Sequence, residues 1–314
     1  MKKKSYKTIK NFQLFSFYRF TKIKDKKQLK MFIENKLKNK IVRGTVLLSN
    51  EGINGSISGE KVLLDEFIVS LKRELNIKKL NINSNKINFL PFNRLKIRIK
   101  KEIISTGRNY NLKDKFRNNH VSPSEWHKML KTEKLKIIDV RNDYEISIGK
   151  FRNAINPHTT SFREFPDTIK NMKISRDDKI GIYCTGGIRC EKASKQLTLL
   201  GYKNVYQLEG GIINYLKYAK RTKVKTMWTG ECFVFDDRVT INSNLDKGKF
   251  FQCYGCRRPI QKKDFKSKYY KKGVHCPYCY KYKTEKKIKS STTRQQQIDN
   301  AIRNKSESPF IKIE

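Results

Sequence analysis

The pattern of apolar and polar residues divides the chain into three regions, and the first has the spacing of a small mixed sandwich. An apolar, aromatic run opens it, and two later stretches place apolar residues three and four positions apart, as one face of a helix requires. The predicted elements are strand 12–20, helix 25–37, strand 44–48, turn 50–55, strand 56–58, helix 62–75 and strand 95–99. This order, β-α-β-β-α-β, is typical of a ferredoxin-like α+β sandwich.

The second region alternates short apolar runs with helical patterns, which is typical of a parallel α/β sheet with crossover helices. Before it, Ser122, Pro123 and Glu125 have the spacing of a capping box with proline at the first helical position. The predicted elements are strands 137–140, 180–183 and 204–208 and helix 190–200. We therefore predict a multi-domain α/β protein with a ferredoxin-like domain at 1–104, a linker and lead-in helix at 105–129, the parallel-sheet domain at 130–224 and a C-terminal region at 225–314.

Charge is the compositional feature that changes this picture most. The chain carries 71 Lys and Arg against 29 Asp and Glu, a formal charge of +42, which favours a nucleic acid as partner. Lysine, asparagine and isoleucine are abundant throughout, so an A+T-rich genome is an alternative explanation for part of the excess. No apolar run approaches the roughly 18 residues of a membrane span, and residues 1–4 precede a polar stretch instead of a signal peptide. We expect a cytoplasmic protein with no membrane partner.

The most reactive residue predicted from the sequence is Cys184, which follows an apolar run and opens a glycine-rich loop before a helix. The loop consists of Thr185, Gly186, Gly187, Ile188 and Arg189. In such a loop, backbone N–H groups and the positive end of the helix dipole face the sulfur and favour thiolate over thiol. The arginine adds a fixed cation. We predict that Cys184 is a nucleophile with a lowered pKa; the alternative is an inert buried cysteine.

Other residues near this loop are candidates for supporting roles. Asp139 and Arg141 lie where a predicted buried strand meets a loop, so they are expected to pair with charges there, with ordinary surface charge as the alternative. Cys190 begins the helix, six positions past Cys184, and is either a packed cysteine or a resolving thiol. Cys232 is either a second thiol near the site or, as we favour, a packed core cysteine.

Four further cysteines have the spacing of a zinc ribbon. They form two Cys-x-x-Cys pairs, Cys253 with Cys256 and Cys276 with Cys279, and nineteen residues separate the pairs. Two such turns bring four thiolates into a tetrahedron, which suits Zn²⁺. A closed site of this kind has no open coordination position, so its predicted role is structural. The tail beyond Lys283 is predicted to be either helical or disordered.

The sequence around Cys184 resembles a rhodanese domain. Residues 137–141 (IIDVR) resemble the family's strand that ends in Asp-Val-Arg, and residues 154–157 (AINP) and 208–212 (LEGGI) match two further segments. Lys150 departs from the pattern, because the family usually has histidine there. The resemblance places Cys184 on the catalytic cysteine of rhodaneses and implies that it can carry sulfur as a persulfide.

The whole layout, from about residue 12 to about residue 280, is similar to the rhodanese-domain tRNA uridine hydroxylases. The motifs that carry the resemblance are EGIN at 51–54, CTGGIRCEKAS at 184–194, FVFDDRV at 233–239 and the two Cys-x-x-Cys pairs. The family implies an oxidoreductase that uses molecular oxygen to convert uridine 34, the wobble nucleotide of tRNA, to 5-hydroxyuridine. tRNA would then be the partner and oxygen the co-substrate. No flavin or haem motif is apparent in the sequence.

Three hypotheses for the function make different use of Cys184. In the leading one, its thiolate or persulfide adds to C6 of uracil, and C5 then reacts with oxygen while loop N–H groups and Arg189 stabilise the developing charge. In the alternative, the protein is a rhodanese-type sulfurtransferase that passes persulfide sulfur to tRNA or another acceptor. In the third, it is a non-catalytic RNA-binding protein built from the first domain and the zinc ribbon, and Cys184 is dispensable.

Overall fold

The computed structural model describes residues 12–110, 119–132 and 134–306. The first domain is a five-stranded sheet in the order β4-β1-β3-β2-β5, with two helices packed on it around one apolar core. Its elements are β1 (Phe12–Phe20), α1 (Lys26–Leu37), β2 (Arg43–Ser49), β3 (Gly52–Glu60), α2 (Lys61–Glu74), β4 (Asn81–Ile87) and β5 (Leu95–Ile99). β5 runs parallel to β2, and the other neighbouring strands are antiparallel. The ferredoxin-like order β4-β1-β3-β2 is therefore present, with β5 added at one edge.

Two predictions for this domain are wrong. The strand pattern missed β4, because two of its buried positions hold Asn83 and Asn85 where an apolar residue would mark a strand. The strand predicted at 95–99 is therefore the fifth and not the fourth. The predicted turn over 50–55 is also too long, since β2 and β3 pair up to Ser49 and Gly52.

The central domain has four parallel strands in the order β6-β10-β9-β7. Its elements are β6 (Asn119–Val121), α3 (Pro123–Thr132), β7 (Leu135–Asp139), α4 (Asp143–Ile146), β8 (Gly149–Phe151), α5 (Phe165–Thr168), β9 (Lys179–Tyr183), α6 (Ile188–Leu199), β10 (Asn204–Leu208) and α7 (Gly211–Thr222). The predicted parallel sheet is confirmed. So is the capping box, in which Ser122 N–H donates to the Glu125 carboxylate at 2.8 Å and Glu125 N–H donates to Ser122 Oγ at 3.2 Å. Of the segment predicted as a linker, residues 111–118 lie outside the described residues.

The C-terminal region consists of short hairpins and one long helix. Its elements are β11 (Trp228–Gly230), β12 (Cys232–Phe233), β13 (Thr240–Ile241), β14 (Phe251–Gln252), β15 (Pro259–Ile260) and α8 (Glu285–Arg303). β11 pairs with β8 of the central domain. Although the apolar run continues to Phe235, β12 stops at Phe233, because the chain turns at Asp236. Of the two alternatives for the tail, the helical one holds up to Arg303; residues 307–314 lie outside the described residues. Among the described helices, none is long and apolar enough to cross a membrane.

Candidate active site

Cys184 lies at the carboxyl end of β9, an inner strand of the parallel sheet, which is the edge where such sheets hold their active sites. Three residues later, Gly187 adopts a left-handed backbone with φ 99° and caps α6. Glycine takes this conformation at little cost. The turn brings the Gly187 N–H to 3.1 Å from Cys184 Sγ, to which it donates. The local chain path thus wraps the cysteine loop, residues 184–189, around the sulfur.

The surroundings of this sulfur favour its ionised form. Cys184 is 1% exposed, and burial raises its pKa, because a thiolate loses its hydration. A hydrogen bond from the Cys190 thiol, the charge of Arg189 and the backbone N–H groups of Arg189 and Gly187 outweigh burial and lower the pKa of Cys184 to about 6. An ordinary thiol has a pKa of about 8.5. A thiolate therefore prevails here at neutral pH.

Arg189, the predicted fixed cation, is held by a carboxylate. Its guanidinium donates to both carboxylate oxygens of Glu145 at 2.7 Å, and both side chains are buried. Burial raises the pKa of Glu145, but the paired guanidinium more than offsets this and holds it below its usual value. Because Glu145 occupies two guanidinium N–H groups, Arg189 acts on the sulfur through the position of its charge.

The remaining loop residues differ in their surroundings. Thr185 is buried, and its hydroxyl donates to the carbonyl of Phe233 at 3.5 Å. Ile188 is the first residue of α6 and is half-buried. A Cβ added at Gly186 would meet nothing within 4 Å. Among the described residues, none therefore packs against the Cα of Gly186 on that side.

Asp139 and Arg141 form a buried ion pair beneath the cysteine loop. Both side chains are fully buried, and the shortest of their contacts, from Arg141 Nη2 to Asp139 Oδ2, is 2.6 Å. Arg141 also donates to the backbone carbonyls of Glu145 and Gly149. The hydroxyl of Tyr183, the residue before Cys184, donates to the same Asp139 oxygen at 2.6 Å. Surface charge is therefore the wrong interpretation for both residues; they fix the end of the strand that carries Cys184.

Two more cysteines lie close to this region, and both are fully buried. Burial and the neighbouring Cys184 raise the pKa of Cys190 well above its usual value, so Cys190 remains a thiol and donates its hydrogen bond. Cys232 belongs to the apolar core of the central domain. This position agrees with the core interpretation, and burial raises the pKa of Cys232 to about 12.

Sequence reasoning missed the contribution of the first domain to this site. The hydroxyl of Tyr18, on β1, donates to Glu191 Oε1 of α6 at 3.0 Å. The same hydroxyl would lie 3.0 Å from a Cβ added at Gly187. Burial and the charges of Glu191 and Cys184 raise the pKa of Tyr18 well above its usual value. One signal was available: β1 is apolar on both faces, with Leu14 buried opposite Phe17, which indicates that both faces are covered.

A buried lysine explains why glutamate occurs in the EGIN motif. Lys192 of α6 is 1% exposed and lies 2.9 Å from Glu51 and 2.7 Å from Glu102, both in the first domain. It also donates to the carbonyl of Ile104 at 2.8 Å. The backbone N–H of Ile103 donates to Glu51 at 2.7 Å. We call Lys192, Glu51 and Glu102 the interdomain ion cluster; it joins the first domain to the helix that begins at the cysteine loop.

The four cysteines of the predicted zinc ribbon converge. Their Sγ atoms all lie within 4.8 Å of one another, and we call Cys253, Cys256, Cys276 and Cys279 the cysteine cluster. Three of the Sγ–Sγ distances are 4.0, 3.9 and 3.8 Å. With Zn–S bonds of about 2.3 Å, the edges of a tetrahedron are about 3.8 Å long. The donor set and its dimensions therefore fit a four-thiolate Zn²⁺ site.

Comparison with known proteins assigns families to two parts of the chain. Residues 12–103 match the UPF0176 acylphosphatase-like domain, and residues 122–217 match the rhodanese-like domain. A rhodanese-related protein from Thermoplasma volcanium is 26% identical, and the match covers 32% of this chain and 92% of that one with a TM-score of 0.28. A human single-domain sulfurtransferase is 22% identical over 31% of this chain and 95% of its own, also with a TM-score of 0.28.

A full-length relative is more informative. The tRNA uridine(34) hydroxylase of Pelagibacter ubique (strain HTCC1062) is 41% identical over 302 residues. The alignment covers 96% of this chain and 99% of that protein, so both family domains and the regions around them are shared. On this identity and coverage, the chain belongs to the tRNA uridine(34) hydroxylase family.

Proposed function

We propose that this protein hydroxylates uridine 34 of tRNA to 5-hydroxyuridine, with molecular oxygen as co-substrate and Cys184 as nucleophile. The observation that carries the proposal is the Cys184 sulfur, whose pKa is lowered to about 6 within a loop of backbone donors. Hydroxylation at C5 of a pyrimidine requires an electron-rich C5, and addition of a thiolate to C6 creates one. The hydroxylase relative supplies the substrate class.

The reaction balances if a thiol reductant, RSH, supplies two electrons: uridine + O₂ + 2 RSH gives 5-hydroxyuridine + H₂O + RSSR. The Cys184 thiolate forms a bond to C6, and the electron pair that this places on C5 forms a C5–O bond with O₂, which gives a peroxide on C5. Two thiols reduce the peroxide to an alkoxide and water and become a disulfide. The proton on C5 then passes to the alkoxide, the C6–S bond breaks, and the thiolate of Cys184 is regenerated.

The loop provides what the addition step needs. We place the approach of the base beside Gly186, where an added Cβ would meet nothing within 4 Å. Negative charge develops on the uracil ring during addition, and we assign its stabilisation to the backbone N–H groups of the loop. Arg189 stays with Glu145 and keeps the resting sulfur ionised. In this assignment, unlike in the hypothesis drawn from the sequence, Arg189 does not stabilise the charge that develops on the base.

A cluster of cations favours RNA as the macromolecule that presents the base. Burial and the charges of Arg94, Arg98 and Arg257 lower the pKa of Lys96, and the charge of Asp237 opposes them, so Lys96 has three cations and one carboxylate near it. Of the four cations, three come from β5 and the residue before it, and Arg257 follows the second cysteine of the cysteine cluster. One carboxylate does not balance four cations, and the phosphates of RNA are a suitable anionic partner for the excess positive charge.

We also propose that the cysteine cluster binds Zn²⁺ in a structural role, since its four thiolates leave no position for a substrate. The domain limits proposed are 1–104, 105–129, 130–224 and 225–314. No step of the reaction passes through the metal. The bound Zn²⁺ would hold in place the segment that brings Arg257 near Lys96.

The proposal is tested by incubating the purified full chain with unmodified tRNA, a thiol and ¹⁸O₂, and analysing the nucleosides by mass spectrometry. We expect 5-hydroxyuridine that carries one ¹⁸O atom, and we expect Cys184→Ala to lower its yield by about a thousandfold or more. Cys232→Ala removes another buried thiol and should retain activity. Full activity of Cys184→Ala, or oxygen derived from water, would contradict the mechanism. A thiolated uridine would instead support sulfur transfer.

A further inference from the structure

The FVFDDRV segment forms a short hairpin that is docked on the cysteine loop. β12 and β13 are its arms, and residues 234–239 connect them. The hydroxyl of Thr185 donates to the Phe233 carbonyl at 3.5 Å, and the ring of Tyr144 packs edge-on against that of Phe233 at 5.4 Å. We call residues 232–241 the docked hairpin. Its base is therefore fixed relative to Cys184.

The tip of the docked hairpin is braced from within. The carboxylate of Asp236 accepts two hydrogen bonds from the Arg238 guanidinium, at 2.8 and 2.7 Å, and one from its backbone N–H at 3.0 Å. Val239 has φ 66°, a left-handed conformation that is a clear outlier for a β-branched residue. Such strain persists where the surroundings enforce it, often at functional sites. The connection is thus rigid and held in an unfavourable shape.

This shape exposes one aromatic ring beside the active site. Phe233 and Val234 are buried, whereas Phe235 between Val234 and Asp236 is 61% exposed. The Phe235 ring packs edge-on against Phe233 at 5.1 Å. Its centroid lies 5.8 Å from the Arg189 guanidinium carbon. An exposed phenylalanine is ordinary by itself, but this one is held by a braced, strained turn next to the cation that lowers the pKa of the nucleophile.

We propose that Phe235 is a stacking platform for a nucleobase of the RNA loop that delivers the target uridine. Single-stranded RNA loops are recognised by stacking of unpaired bases on aromatic rings. The adjoining cations suit this occupant: Asp237, two residues on, has Lys96, Lys247 and Arg257 among its charged neighbours. Phosphates bound by these cations would place the bases of the same strand toward Phe235. The inference rests on the proposed function and assigns a binding residue to the same site.

The test uses a hairpin RNA with a seven-nucleotide loop, a uridine at the target position and 2-aminopurine next to it. Binding is measured by titration of the full-length protein, and stacking by quenching of 2-aminopurine fluorescence at saturation. The variants are Phe235→Trp, Phe235→Leu and Phe235→Ala. The matched control is Phe251→Ala, which removes another aromatic ring that is 46% exposed.

We expect Phe235→Ala and Phe235→Leu to weaken binding by about 10- to 100-fold and to abolish the quenching, since stacking requires a π face. Phe235→Trp should bind and quench like wild type, as should Phe251→Ala. All Phe235 variants should keep the wild-type urea unfolding midpoint, which shows that the fold is intact. Equal binding and quenching by wild type and Phe235→Ala would overturn the proposal. Because neither readout requires turnover, this failure is distinguishable from absence of hydroxylase activity.

Discussion

The cysteine loop and the cysteine cluster use the same side chain in opposite ways. In the loop, one sulfur is surrounded by donors: the Gly187 N–H at 3.1 Å, the Cys190 thiol and the nearby charge of Arg189. In the cluster, four sulfurs face one another, with distances of 3.8 to 4.0 Å along three of the edges. The first arrangement stabilises one anion. The second assembles ligands that are stable together only with a cation among them.

The comparison shows that the neighbours of a cysteine decide its chemistry, and that burial does not. Cys184, Cys232 and Cys276 are all buried to within 1% of full. The pKa of Cys184 is lowered to about 6, whereas burial raises the pKa of Cys232 to about 12. Donors and a fixed cation around Cys184 account for the difference.

The largest effect is expected from removing a ligand of the cysteine cluster. Cys276→Ser should lower bound zinc from about one ion per chain to nearly none and unfold the module around it, because structural zinc sites contribute on the order of 10 kcal/mol. Elemental analysis and limited proteolysis measure both effects. Cys184→Ser serves as the matched change and should keep its zinc. Equal zinc contents in the two variants would contradict the division between the sites.

The next largest effect is expected when the contact that joins the cysteine loop to the first domain is broken. The cysteine loop depends on the first domain through the interdomain ion cluster, whereas the cysteine cluster draws all four ligands from one segment. Lys192→Met leaves two carboxylates facing each other and should cost about 3–5 kcal/mol of unfolding free energy. Lys203→Met, which breaks an exposed pair with Asp177, should cost less than about 1 kcal/mol. Urea denaturation compares them, and equal losses would contradict the role of Lys192.

This support should also depend on pH. Burial raises the pKa of Glu102, but its hydrogen bonds from Lys192, Thr106 and Gly107 outweigh burial and lower it. A carboxyl whose folded pKa is lowered stabilises the fold above its unfolded pKa, about 4.3, and this stability is lost as the pH falls through the lower folded value. The stability difference between wild type and Lys192→Met should therefore shrink below about pH 4. A difference that is constant between pH 7 and pH 3 would contradict this coupling.

The smallest effect is expected from neutralising the ion pair beside the sulfur. The double variant Arg189→Gln, Glu145→Gln leaves no unpaired buried charge, so the fold should persist. Loss of the cation should raise the pKa of Cys184 by about one unit or more, since an opposite charge at close range shifts a pKa by that amount. The pH dependence of alkylation reports it. An unchanged midpoint would mean that backbone N–H groups and Cys190 suffice.

The features that depend on residues close together in the sequence were predicted correctly. The parallel strands, the capping box at Ser122 and the two Cys-x-x-Cys turns follow from the spacing of neighbouring residues, and the structure contains them. The loop after Cys184 follows from two adjacent glycines, of which Gly187 takes the left-handed conformation. The sequence alone therefore predicted that backbone N–H donors surround the Cys184 sulfur.

Contacts between domains could not be predicted from such local patterns. β4 was missed because Asn83 faces the central domain, where its side-chain amide donates to the Gly210 carbonyl at 3.1 Å. In a sequence pattern, a polar residue buried at a domain interface cannot be distinguished from one exposed to solvent. The same holds for Lys192, which is 1% exposed only because two glutamates distant in sequence neutralise it. Partners that lie about 90 or 140 positions away leave no periodic signal.

The central claim is that Cys184 is ionised at neutral pH, and peptide-resolved alkylation tests it most directly. Trypsin cleaves after Lys179 and Arg189, so residues 180–189 carry Cys184 alone, and residues 226–238 carry Cys232 alone as an internal reference. The intact protein is treated briefly with iodoacetamide between pH 4.5 and 10, denatured and digested. We predict a half-maximal rate for Cys184 near pH 6, with Cys232 unreactive throughout. A midpoint near pH 8.5, the value of an ordinary thiol, would contradict the account.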